Sequence, residues 1–151
     1  MRNIAAILDA IVSHALASGH FERVNGHEPK SAPGNGLTAA VWAQEVGPVP
    51  AGSGLQMTSG LLVFNVRLYT PMISEPQDAI DPALLAAVDA LMGAYSGDFE
   101  LGGNARCVDL LGQAGTPLSA RAGYLEQNKT IYRVFTITLP VIVNDAWEQA
   151  A

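Results

Sequence analysis

The stretch Gly60-Leu61-Leu62-Val63-Phe64-Asn65-Val66-Arg67-Leu68-Tyr69-Thr70 alternates with a period of two. Leu62, Phe64, Val66 and Leu68 fall on one side of an extended chain, and Val63, Asn65, Arg67 and Tyr69 fall on the other. This pattern predicts a strand with one buried face and one mixed face. Thr130 to Val143 repeats it, with Ile131, Arg133, Phe135, Ile137 and Leu139 set against Tyr132, Val134, Thr136 and Thr138. Pro140 has no N–H to give to a ladder, so the end of this strand is expected at a sheet edge or bulge. Arg106 to Leu111 and Ala120 to Glu126 read as two further strands, with turns at Gly112 to Pro117 and at Gln127-Asn128-Lys129. Upstream, Leu37 to Val46 is small and β-compatible, and His20 to Val24 is a short strand or an extended link.

Outside these segments the period changes to that of a helix. Ile4, Ile7, Leu8, Ile11, Val12, Ala15 and Leu16 form one apolar stripe, with Asn3, Asp9, Ser13 and His14 off it and Gly19 as a left-handed C-cap. The interruptions at Asp9, Ser13 and His14 argue against a secretory signal, so a retained helix and an intracellular origin are expected. Asp81-Pro82 reads as an N-cap and first helical residue, followed by the stripe Leu84, Leu85, Val88, Leu91, Met92 and Tyr95, and then Gly97 as the stop. Asp78 and Asp81 place negative charge where the helix dipole favours it.

The order helix, strands, helix, strands lacks a regular βαβ alternation. It predicts an α+β fold with two helices packed on one face of a mainly antiparallel sheet, formed by residues 1–151 as a single domain. Asn25 to Gly36 is a surface loop with two prolines and three glycines. A Gly/Pro arm over residues 47–59 joins two strands, and it is longer than the two to five residues a hairpin needs. Residues 144–151 read as a short C-terminal tail.

Composition narrows the function. Charged residues make up 15% of the chain against about 25% in an average domain, while 49% is hydrophobic. Bulk disorder is excluded, and so pale a surface calls for a partner, self-association being the simplest. Fourteen acids against eight bases give a net charge of −6, with no basic cluster, which argues against a nucleic-acid binder. No apolar run approaches the roughly 20 residues of a membrane helix. Cys107 is the single cysteine and has no internal disulfide partner. Asn128-Lys129-Thr130 fits a glycosylation pattern that matters only in a secreted chain.

Catalytic motifs are missing. His14, His20 and His27 stand six residues apart, a spacing that suits neither a helical metal pair nor a zinc motif. Gly34-Asn35-Gly36, Gly52-Ser53-Gly54 and Gly102-Gly103-Asn104 lack the lysine of a phosphate loop and read as turns, and no nucleophile elbow is present. Asp78/Asp81 and Asp98/Glu100 sit at helix ends and read as structural. The expectation is a chain that is not an enzyme, with no catalytic, cofactor-binding or metal-binding residues. Arg67 and Arg133 interrupt strand alternation, which places them either on a solvated strand face or opposite acids such as Asp109 or Glu45. Trp42 in a strand reads as core or interface, and Trp147 in the polar tail either dangles or docks on a neighbour.

The amphipathic first helix, the long Gly/Pro arm, the strand Leu61 to Tyr69, the helix Asp81 to Tyr95 and the closing strand Ile131 to Val143 together resemble the tail terminator proteins of long-tailed bacteriophages. Phrases such as Thr38-Ala39-Ala40-Val41-Trp42 and Asn65-Val66-Arg67-Leu68-Tyr69 bring the likeness closest to phages of actinobacteria, and it extends over nearly the whole chain. The resemblance implies a structural virion protein, assembled in the host cytoplasm and located in the neck. It would form a homo-hexameric ring on the head-proximal end of the tail tube, end polymerisation of the major tail tube protein and receive a head-completion protein. DNA would pass through the acidic ring without specific binding, and no membrane is involved. Subunit or partner contacts are expected at Val49, Leu55 and Met57 in the arm, and at Trp42, Arg67, Arg133 and Trp147. The alternatives are another neck component, such as a head-closure or connector protein, or a small α+β ligand-binding domain or enzyme. The last requires a pocket between sheet and helices with a convergent polar cluster, which the sequence does not reveal.

Overall fold

In the computed structural model, residues 4–21, 23–26, 37–48, 57–71, 80–113, 115–127 and 129–148 are described. Three long antiparallel strands form the frame: β2 (Thr38–Pro48), β3 (Met57–Pro71) and β6 (Thr130–Glu148). Shorter pieces flank them: β1 (Arg23–Asn25), β4 (Cys107–Val108) and β5 (Ser119–Gln127). The sheet order is β1-β2-β3-β6-β4, and β5 also pairs with β6. Every pairing is antiparallel except β1 with β2.

The helices α1 (Ile4–Ala17) and α2 (Ile80–Gly97) lie on one face of this sheet. Ile7, Ile11 and Ala15 from α1 and Leu84, Ala87, Val88, Leu91 and Tyr95 from α2 are buried against Leu62, Phe64, Val66 and Leu68 of β3 and Ile137, Leu139, Val141 and Val143 of β6. The strand residues packed against the helices are every second one, so the period-two pattern and the 3.6-residue stripes meet in one core. The α+β reading with both helices on one face is what the structure has. Gly19, at φ 73, ends α1 in the left-handed conformation expected of it.

The strands run further than the sequence pattern indicates. β6 does not stop at Val143: it continues through Asn144 to Glu148, with Trp147 opposite Thr58 and Glu148 opposite Met57. The expected C-terminal tail is therefore largely strand. Pro140 lies inside β6 and not at its end, opposite Val63. Its carbonyl accepts the Asp109 N–H at 2.9 Å, so its donor-less nitrogen faces the side where β5 stops at Ser119 and β4 begins. A proline is tolerated there because the ladder on that side is already broken.

β4 is shorter than Arg106 to Leu111, because the Asp109 carboxylate accepts the Gln113 N–H at 2.9 Å and turns the chain away. The helix α2 begins at Ile80, so Pro82 falls within its first turn, where no intrahelical partner awaits its nitrogen. Of the expected arm, Gly47, Pro48, Met57, Thr58 and Ser59 belong to strands, and 49–56 lie outside the described residues, as does nearly all of the loop Asn25 to Gly36.

Lys129 closes the β5–β6 connection at φ 64, a conformation in which an L side chain costs about 1 kcal/mol or more. Lys129→Gly is expected to raise unfolding stability by roughly 0.5–1 kcal/mol, read from the urea midpoint, because glycine adopts this backbone without strain.

Candidate functional site

The face of the sheet opposite the helices is organised in rows. On it β3 presents Leu61, Val63, Asn65, Arg67 and Tyr69, and β6 presents Ile142, Thr138, Thr136, Val134 and Tyr132. Its two ends are apolar: Leu61, Val63 and Ile142 pack with Cys107 at one, and Ala40, Tyr69, Tyr132 and Val134 pack with Trp42 and Leu125 at the other. Between them lies a polar band. Thr136 is paired with Arg67 on one side and Arg121 on the other, and Thr138 is paired with Asn65 and Ser119. Two rows of three polar residues thus cross three neighbouring strands on one face.

This band lines an open groove of about 590 Å³, to which Gln44 also contributes. Gln44 is the extra residue of a bulge where the β2–β3 register shifts between Ala43 and Glu45. Arg67 is held in place: its Nε donates to Thr136 Oγ1 at 3.0 Å, and its guanidinium lies 5.1 Å from the centre of the Trp42 ring. The Nε contact leaves the outer nitrogens of the fork available to an acceptor in the groove. No carboxylate lines it among the described residues, although the chain carries fourteen acids. The arrangement suits an anionic oxygen acceptor, with two guanidinia supplying charge and the hydroxyls and amides supplying direction.

Of the residues singled out in the sequence, the structure brings Trp42 and Arg67 together. Arg67 makes its contacts with Trp42 and Thr136, not with Glu45. Arg133 lies on the other face, where it donates to the Gly123 carbonyl at 3.3 Å and covers Tyr124 at 4.6 Å and Phe135 at 5.9 Å. Val49 and Leu55 lie outside the described residues, and Met57 and Trp147 take backbone positions in β3 and β6. Arg121, Thr136, Thr138, Asn65, Ser119 and Gln44 were not singled out by sequence reasoning. The convergent polar cluster does exist, but on the side of the sheet away from the helices.

The histidine and carboxylate groups have a structural explanation. His14 Nε2 donates to Asp98 Oδ2 at 2.8 Å, tying the end of α1 to the end of α2, and its ring meets Tyr95 edge-on. The Gly102 N–H and then His14 hold the Asp98 carboxyl below its usual range. Burial raises the Tyr95 hydroxyl, which donates to the Ile11 carbonyl at 3.1 Å, and burial likewise raises the Cys107 thiol. Among the described residues no group of three metal-ligating side chains converges, and no helix is long and apolar enough to cross a membrane.

No family model matches the chain, and no curated protein matches its sequence.

Two predictions follow from these contacts. Thr136→Val keeps the β-branched shape and removes the acceptor for Arg67, and is expected to lower stability by about 1 kcal/mol in urea unfolding. Asp98→Asn removes a carboxylate whose folded pKa is lowered, so the stability it carries is present above the ordinary value near about 4 and is lost as the pH falls through the lowered one. The variant should be less stable at neutral pH, by at most about 1 kcal/mol because solvent screens the pair, and the difference should fade as the pH falls through the lowered pKa.

Proposed function

We propose that the chain is a structural ring protein of a phage neck, the tail terminator that caps the head-proximal end of the tail tube and provides the head-joining surface. The observation that carries this reading is the amount of apolar surface left uncovered on so weakly charged a chain. Leu111 is 86% exposed, Leu16 61% and Leu85 54%, and Val46, Phe99, Tyr124 and Ile131 are exposed as well. Such side chains occur on helices, strands and turns alike, which suits a subunit enclosed by neighbours on several sides better than one with a single docking patch. The resemblance in layout supplies the particular ring: helix, long strands flanking an arm, helix, closing strands. Under it the arm bounded by Pro48 and Met57 reaches the tube protein, and the acidic ring lets DNA pass unbound.

The groove lined by Arg67 and Arg121 favours one other reading, a small domain that binds an anionic ligand. Size-exclusion chromatography with light scattering separates the two. A terminator is expected to form hexamers alone or on purified tail tubes, and deletion of residues 49–54 is expected to preserve the fold while abolishing capping. A protein that stays monomeric under both conditions overturns the ring reading.

A further inference from the structure

We propose that the groove on the helix-free face seats the α2 helix of a second copy of this chain, with that copy's Asp89 carboxylate between Arg67 and Arg121. The inference rests on the ring reading only in taking a second copy as the partner.

The groove reverses the sign of the molecule. The chain has a net charge of −6, yet the groove is lined by two arginines and no acid among the described residues. Arg67 and Arg121 flank Thr136 in one row across adjacent strands, so their backbones stand about 10 Å apart. Long side chains rooted at that distance can reach a single carboxylate between them, and the Trp42 contact already holds one of the forks.

The helix α2 carries the complement. Its sequence, Ile80 to Gly97, contains no basic residue. On its outward side Asp89 is exposed, and Leu85, one turn earlier, is 54% exposed. An acid beside a leucine matches a groove whose lining sets an arginine pair beside the half-buried Leu125. A helix is about 10 Å wide, which is the span of the three strands forming the groove floor.

The topology forbids a chain from filling its own groove. The α2 helix packs on one face of the sheet and the groove opens on the other. The contact therefore joins unlike surfaces, front to back, and repeated contacts of that kind generate a ring when the rotation closes.

Charge reversal tests the pairing. The parent and the variants Asp89→Lys, Arg121→Glu and the double variant are compared by sedimentation and light scattering over a concentration series. Both residues are exposed, and unfolding midpoints should stay within about 0.5 kcal/mol of the parent. Each single variant is expected to weaken association at least about tenfold, and the double variant to recover most of it. Single variants that assemble like the parent overturn the contact and leave the ring reading to other surfaces. Weakening without recovery in the double variant also overturns it, since the two residues then act in separate contacts. A parent that is monomeric both alone and on tail tubes removes the ring and this contact together. Calorimetry with succinate adds one more outcome: a monomer that binds the dicarboxylate, and loses it in Arg121→Glu, assigns the groove to a small anion and overturns the second copy as its occupant.

Discussion

The register of β3 against β6 decides the side of the sheet on which each side chain stands. Val66 opposite Ile137 and Phe64 opposite Leu139 put large apolar groups beneath the helices, and the intervening pairs Arg67 with Thr136 and Asn65 with Thr138 are thereby sent to the other face. A slip of one residue would bring the arginine and asparagine into the helix-covered core and expose the leucines. The core and the groove are therefore two consequences of one pairing. The same pairing passes outward to β5, because Ala120 stands opposite Ile137 and Arg121 opposite Thr136.

The helix-free face pays for its polar band by surrounding it. Apolar clusters lie at both ends, and Arg67 spends part of its donor capacity on Thr136 and its flat face on Trp42. A guanidinium fixed in this way loses less freedom when it meets an acceptor than one that waves in solvent, which is the physical sense in which the groove is prepared for an anion. The other candidate arginine, Arg133, is engaged differently: aromatic rings and a backbone carbonyl occupy it on the opposite face.

How much of this the sequence reveals depends on the range of the information involved. The β3 alternation, the inward positions of the two helical stripes and the Gly19 stop are local, and each is found where the pattern put it, whereas Leu16 and Leu85 at the stripe edges are exposed. The turn expected at Gln127-Asn128-Lys129 is shorter, since Gln127 belongs to β5 and pairs with Thr130. The continuation of β6 past Val143 is not local: Asn144 to Glu148 is polar in composition and becomes strand because β3 extends far enough to pair with it. Pro140 reads as a terminator only while its neighbours are unknown, since the side on which its ladder is broken is set by the placement of β4 and β5. The groove is harder still, because each of its rows takes one residue from each of three strands. One signal was available. A two-residue turn after Gln127 fixes Gln127 opposite Thr130, and counting back along both strands sets Arg121 opposite Thr136.

Charge scarcity gains a direction from this geometry. Of the eight basic residues in the chain, two stand in the groove, while α2 carries Asp89 on its exposed side and no base. Two such grooves, or two α2 surfaces, cannot face each other without repulsion, whereas a groove against an α2 helix brings unlike charges together at every junction. In the proposed assembly the sheet's own construction thus selects a head-to-tail contact over a two-fold dimer. The number of copies that close such a ring depends on the rotation between neighbouring subunits, which the seating of α2 across the strands of the groove floor defines.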